Sequence, residues 1–215
     1  MSSHPTEQPA QTTGRLIRWA PYYDTLVNIF TFGQIQRLRQ QTVQLAQIKA
    51  GDSVLDVGCG PGSVTIPAKL CAGTKGYTAG IDPSPEMIGV ARRKAVHRNL
   101  EIDFRVGVIE ALPFPEASFD VVTSSLMIHH LPGDLQVRGL AETYRVLKLG
   151  GCLLIADFMG PNASIFNRFF TALSMHHGLK FGIEDLPELL KDANFSQTTV
   201  HKEKFLLIGF VRAIK

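Results

Sequence analysis

Ser53-Val54-Leu55-Asp56-Val57-Gly58-Cys59-Gly60-Pro61-Gly62 decides the fold. The first five residues form a short, largely apolar run that breaks into glycines at alternate positions. Glycine turns the backbone sharply and lets it approach a ligand closely. Val64–Leu70 follows with helical character, so the loop joins a strand to a helix whose N-terminus can face an anionic group. A glycine loop alone is a weak signal, but one between a strand and a helix is informative. Its spacing is G-x-G-x-G, not the G-x-G-x-x-G of a dinucleotide fingerprint. Asp56 stands two residues before the first glycine. A carboxylate there repels a pyrophosphate and suits a ligand that carries an ammonium group.

The alternation continues outward. Tyr77–Ile81, Ile102–Val106, Phe119–Ser124 and Cys152–Ala156 read as strands, and Ser196–Lys202 and Phe205–Ile214 close the chain as two more. Pro85–Arg98 reads as a helix with Ser84 as its N-cap and Pro85 at its first position. A further helix runs from Asp134, as cap, to Leu147 and is ended by Gly150-Gly151. Glu184–Ala193 is helical, and so is Gln34–Lys49 by the spacing of Ile35, Leu38, Val43, Leu45 and Ile48. The pattern predicts an α/β fold: a Rossmann-like, doubly wound, seven-stranded, mostly parallel sheet. Residues 1–14 are expected as a disordered tail, 15–50 as an N-terminal helical cap and 51–215 as the ligand-binding domain. A lid at 158–182 is expected after strand five. Sheets of this type bind ligands at the carboxyl ends of their strands.

Composition narrows the function classes. The 215 residues carry 22 basic and 19 acidic side chains, a net charge of +3, and are 45% hydrophobic. No basic stripe interleaved with aromatics is present, so nucleic acid is not an expected partner. Cys59, Cys71 and Cys152 have neither zinc-ligand nor disulfide-framework spacing, so no metal is expected and a cytoplasmic location is. No segment has the pattern of a signal peptide or a membrane span.

Asp82 ends the second strand 20 residues after Gly62, where a carboxylate can accept both hydroxyls of a ribose. Four motifs in order then carry a family resemblance: Leu55 to Gly62; Gly80-Ile81-Asp82-Pro83-Ser84-Pro85-Glu86-Met87; Ala111-Leu112-Pro113-Phe114 with Ser118-Phe119-Asp120-Val121-Val122; and Tyr144-Arg145-Val146-Leu147-Lys148-Leu149-Gly150-Gly151. Together they resemble class I S-adenosylmethionine (SAM)-dependent methyltransferases, most of all the ubiquinone/menaquinone-biosynthesis (UbiE-like) and related small-molecule enzymes. The resemblance covers about residues 18 to 157. It implies SAM as cofactor and S-adenosylhomocysteine as product. It implies that Asp56, Gly58 and Gly60 surround the methionine end, that Asp82 holds the ribose, that Met87 packs near the adenine, and that Cys59 and Pro83 also bind the cofactor. Gly107, Val108 and Ile109 would meet the adenine edge, and Ser124 and Ser125 would lie beside the methionine. Tyr23, in Ala20-Pro21-Tyr22-Tyr23-Asp24, resembles a family element that touches SAM. The chain departs from the family at Val108, where an aspartate usually accepts the adenine amino group; Glu110 is the alternative acceptor.

Transfer of a sulfonium methyl needs alignment and exclusion of water, and a base only where the nucleophile must lose a proton. His129, His130, Asp157 and His176 are the candidate bases. The aromatics Trp19 and Tyr22, together with Phe158, Phe166, Phe169, Phe170 and His177, are expected to line an apolar acceptor pocket. That pocket favours a small aromatic or lipid-like acceptor such as a quinone precursor, a phenol or a polyketide. Leu26-Val27-Asn28-Ile29-Phe30 is a candidate for peripheral membrane contact, and a monomer or homodimer is expected. A catalytically silent SAM-binding protein and, more remotely, a nicotinamide-dependent oxidoreductase are the competing readings.

Overall fold

The computed structural model describes residues 35–159, 182–201, 203, 205 and 207–215. The N-terminal tail, most of the expected cap and all of the expected lid except Phe158, Met159 and Gly182 lie outside these residues. So do the candidates Trp19, Tyr22, Tyr23, Phe166, Phe169, Phe170, His176 and His177.

In chain order the elements are α1 (Ile35–Ala46), β1 (Val54–Val57), α2 (Thr65–Ala72), β2 (Thr78–Asp82), α3 (Pro85–His97), β3 (Asp103–Val106), β4 (Phe119–Ser125), α4 (Gly133–Val146), β5 (Leu147–Phe158), α5 (Leu186–Asp192), β6 (Gln197–Val200) and β7 (Ile208–Ile214). Short 3-10 turns precede α4 at Ile128–His130 and α5 at Ile183–Asp185. The seven strands form one sheet in the order β3-β2-β1-β4-β5-β7-β6. Strands β1 to β5 pair in parallel, and β7 runs antiparallel between β5 and β6. The seven-stranded, mostly parallel, Rossmann-like sheet is therefore as the sequence predicts.

Strand alternation sorts the core into two layers. Leu55 and Val57 of β1 face α4 and α5 in a cluster with Ile81, Leu140, Leu153, Leu186 and Leu190. Val54 faces the opposite way, with Ala68 and Ala72 of α2, Ala46 of α1, Val121 and Leu154. Ile35 and Leu38 of α1 bury against Ala156 and Phe210 on that same side. Helix α3 covers the end of the sheet through Ile88, Ala91 and Ala95 against Phe104 and Cys59. Both faces are covered, so the strands are largely apolar, and the buried polar side chains they carry are Asp56, Thr78, Thr123, Ser124 and Asp157.

Two boundaries differ from the sequence reading. Asp134 does not cap α4: Pro132 holds the cap position, and Asp134 sits in the first turn, 3.4 Å from Arg138 one turn on. Gly150-Gly151 does not end the helix either. The chain leaves α4 at Val146 and is already strand at Leu147, which pairs with Phe119. The next pairing is Val121 with Cys152, so Lys148–Gly151 bulge outward, with Gly150 at φ 75°. The glycines shape that bulge.

Candidate active site

Strand order reverses between β1 and β4, because β2 and β3 lie to one side and β5 to the other. The crevice at their carboxyl ends is where an open α/β sheet binds its ligand. A cleft of about 720 Å³, counting its open mouth, lies there. Gly58, Gly60, Asp82, Pro83, Met87, Gly107, Val108, Ile109, Ser125 and His130 are among the residues that line it. These ten were expected at the site from sequence. Gly60 adopts φ 51°, and a Cβ built on it meets nothing within 4 Å. The loop is thus bent by a residue whose missing side chain leaves the cleft open.

Asp82 stands at the end of β2 with both oxygens engaged. Oδ2 accepts the Gly60 N–H at 2.9 Å, and Oδ1 accepts the Ser84 N–H at 2.9 Å. The carboxylate therefore braces the glycine loop against the start of α3. A carboxylate has about four acceptor positions, so each oxygen keeps capacity for a hydroxyl from the cleft. Burial pushes the Asp82 carboxyl up to about 6, against these two hydrogen bonds, which pull it down. Ser84 is the N-cap, its Oγ accepting the Met87 N–H at 3.2 Å.

Asp56 is buried beneath the loop. Its Oδ2 accepts the Thr65 hydroxyl at 2.6 Å and its Oδ1 the Thr123 hydroxyl at 2.8 Å. The register explains the second bond, since Asp56 lies directly opposite Thr123 on β4. Burial raises this carboxyl to about 6 as well, with the threonines opposing the shift. Asp56 and Cys59 line a second hollow behind the loop rather than the main cleft. Burial pushes the Cys59 thiol well up, so it stays protonated and serves as packing against Gly80. Ser124 lines neither hollow; its hydroxyl is buried without a hydrogen-bond partner, and Ser125 lines both.

The cleft floor is set by α4. Val108 and Ala111 form an isolated bridge that turns the chain tightly. Glu142 accepts the Leu112 N–H at 2.9 Å, and Arg145 donates to the carbonyls of Leu112 and Phe114 at 3.0 and 2.9 Å. Glu110, the alternative adenine acceptor, lines the cleft two residues beyond Val108.

At the exit of β4, Leu126 adopts φ 56°, a conformation uncommon for a branched residue. It turns Met127 back over Gly58, where a Cβ would lie 2.3 Å from Met127 Cγ. Leu126 and Met127 both line the cleft and were not among the residues singled out from sequence. Their signal was position alone, directly after the fourth strand.

Behind this wall lies a buried ion-pair geometry. His129 Nδ1 is 2.6 Å from Asp157 Oδ1, and the His129 N–H donates to Asp157 Oδ2 at 3.2 Å. The side chains are 4% and 1% exposed. The Phe158 N–H also donates to Asp157 Oδ1, at 2.8 Å, and the Phe158 ring packs edge-on to His129 at 4.9 Å. The His130 ring, in the cleft wall, lies 3.9 Å from that of His129. Three of the four candidate bases are thereby brought together.

The residues fit SAM. Asp82 offers acceptors for a ribose, Met87 and the Gly107–Ile109 strand exit offer a slot for a base, and the open loop at Gly60 leads toward the acid Asp56. Among the described residues no cluster could hold a metal ion and no helix is long and apolar enough to cross a membrane.

Comparison with known proteins agrees. Residues 54–151 match the family profile described as a methyltransferase domain. The chain is 32% identical over 200 residues to a demethylmenaquinone methyltransferase of Listeria welshimeri, covering 82% of this chain and 84% of that one. It is 37% identical over 147 residues to a demethylmenaquinone methyltransferase of Thermus thermophilus, covering 68% of this chain and 66% of that one. A solved SAM-dependent methyltransferase from Aquifex aeolicus superposes with a TM-score of 0.66 at 22% identity, covering 82% of this chain and 88% of the other. With SAM as its cofactor, the chain belongs to the SAM-dependent methyltransferases, on the UbiE-like branch that holds the demethylmenaquinone methyltransferases.

Proposed function

We propose that the protein methylates a small aromatic or lipid-like acceptor by in-line displacement, that a quinol-type ring fits best, and that His129 is the general base. The His129–Asp157 pair carries this reading. A carboxylate on Nδ1 fixes the tautomer that leaves Nε2 as the proton acceptor and stabilises the imidazolium once the proton arrives. SAM supplies a methyl group already activated on a sulfonium, and its loss leaves S-adenosylhomocysteine. Taking the proton from a ring hydroxyl makes the ring nucleophilic, which is the step the protein must provide. Apolar residues lining the cleft, Leu126, Met127 and Leu131, suit such a ring, and the relatives named as demethylmenaquinone methyltransferases support the choice.

In this reading Asp82 holds the ribose hydroxyls, beside Pro83. Met87, Gly107, Val108 and Ile109 frame the adenine. Gly58, Gly60 and Ser125 follow the methionine, with Asp56 and Cys59 behind the loop. His130 is a second candidate base because it lines the cleft where His129 does not.

The test is turnover on a demethylmenaquinol-type naphthoquinol and on simple phenols, followed by mass spectrometry. His129→Gln and Asp157→Asn are expected to lower kcat about 100-fold or more with little change in SAM affinity, within the usual range for a general base. His130→Gln is expected to keep most of kcat. Loss of turnover in His130→Gln, with His129→Gln active, would move the base to His130. Absence of methyl transfer to any aromatic acceptor would overturn the acceptor class.

A further inference from the structure

Both histidines of the candidate site sit on one short turn, Ile128–His130, between β4 and α4. Three contacts hold that turn. The Ile128 side chain is buried in the core with Leu140 and Leu153. Asp157 accepts the His129 backbone N–H at 3.2 Å and lies 2.6 Å from its ring Nδ1. The third contact is Gln136, in the first turn of α4. Its Nε2 donates to the Ile128 carbonyl at 3.3 Å and to the Leu131 carbonyl at 3.2 Å. Those two carbonyls flank the His129–His130 pair, so one amide nitrogen pins the backbone on either side of it. That nitrogen has two hydrogens, one for each carbonyl.

The residue type answers to the turn and not to the core. Gln136 is 5% exposed, on the same helix face as the buried Leu135, Gly139 and Leu140. A leucine or methionine would serve packing alone, and a buried amide costs stability unless its hydrogens find acceptors. The nearest helix N–H groups, those of Leu135 and Gln136, go to the Pro132 carbonyl, which leaves the Leu131 carbonyl to the Gln136 side chain. We propose that Gln136 is a positioning residue for methyl transfer: it fixes the turn so that the histidine base keeps its direction toward the acceptor. The proposal rests on the reading above, in which a histidine of this turn takes the acceptor's proton. A displacement of about 1 Å in a catalytic group can cost about 100-fold in rate, and loss of both hydrogen bonds gives the turn that latitude.

Amide hydrogen exchange on the full chain tests the fixing of the turn without any acceptor. Gln136→Met, similar in volume and without a donor, should speed exchange at the His129, His130 and Leu131 amides about tenfold or more and leave the amides of the β4–β5 pairing unchanged. Gln136→Glu, which offers one hydrogen at most, should fall between wild type and Gln136→Met. Unchanged exchange at the turn would overturn the proposal, and so would faster exchange throughout α4 and the sheet, since Gln136 would then support the fold at large. Turnover on the naphthoquinol tests the link to the base. Gln136→Met should lower kcat on the order of tenfold with SAM affinity within about twofold. In a His129→Gln background that loss should shrink to within about twofold, because a turn without its base has nothing to aim. Coupling to His130→Gln instead would keep Gln136 in its role and sink only the assignment of the base to His129. Full additivity with both histidine variants, or an unchanged kcat in Gln136→Met, would overturn the proposal. The exchange measurement decides it even where the acceptor class is wrong.

Discussion

Asp82 and Asp56 are two carboxylates held near 6 by burial, and both lie along the path assigned to SAM. Asp82 must be ionised to accept both ribose hydroxyls, so protonation removes acceptor capacity. SAM affinity is therefore expected to be flat above about pH 7 and to fall steeply as pH drops through 6. Asp82→Asn should weaken binding at pH 8 and flatten this limb, which titration calorimetry at several pH values would check. The same shifts act on folding with the opposite sense. A carboxyl whose folded value lies above its unfolded value of 3.8 destabilises the fold when ionised. That penalty is complete above about pH 6, is relieved as pH falls through 6, and is gone below 3.8. Asp56→Asn is accordingly expected to raise apo stability by up to about 3 kcal/mol at pH 8 and by little at pH 4, since one pKa unit is worth about 1.4 kcal/mol. It should bind SAM less well. Denaturant melts at the two pH values would decide; equal effects at both would mean that the threonine hydrogen bonds, not the charge, dominate. Asp56 and Asp82 were legible from their places around the glycine loop. The pairing of Asp157 with His129 was not, because 28 residues separate them and only the adjacency of β4 and β5 joins them.

At the scale of elements, α4 does more than cover the sheet. Gly139 lies opposite Ile109, and a Cβ there would meet Ile109 Cγ1 at 2.8 Å and its Cδ1 and Cγ2 at 2.9 Å. Glu142 and Arg145 then clamp the backbone of Leu112 and Phe114 one turn further on. The helix thus sets the segment that carries the cleft-lining Val108, Ile109 and Glu110. Gly139→Ala gains up to about 1 kcal/mol of helix propensity, yet it must displace Ile109. We expect about tenfold weaker SAM binding and a net loss of about 1–2 kcal/mol in stability, typical of an overpacked core. Ile109→Ala in the Gly139→Ala background removes all three colliding carbons and should restore part of the affinity. Titration of the single and double variants checks this, and no recovery would show that the floor is not set here. Sequence patterning located α4 within two residues at its C-terminal end but misassigned its signals: Asp134 is a first-turn acid, and the two glycines belong to a strand bulge. Glycine marks both features, and only pairing partners tell them apart.

For the whole molecule, ligand and fold are linked through the crevice between β1 and β4. Binding joins the glycine loop, α3 and the β4 exit, so it should stabilise the native state as a unit. S-adenosylhomocysteine at 100 times its Kd is expected to add about 2.7 kcal/mol to the unfolding free energy. Thermal melts with and without it would show an upward shift, and Asp82→Ala should abolish that shift at the same concentration. The sequence by itself determined the sheet, because short apolar runs alternating with helical spacing call for an α/β layer architecture in which the strands are covered on both faces. It also carried the family resemblance that implies the cofactor, because the four motifs are local stretches of chain. Only the tertiary structure decided which side chains share a hollow. Leu126 and Met127 over the glycine loop, Arg39 behind it, Ser125 rather than Ser124 in the cleft wall and Asp157 on His129 all depend on strand order and side-chain direction. Those contacts span distant parts of the chain, and no local pattern encodes them.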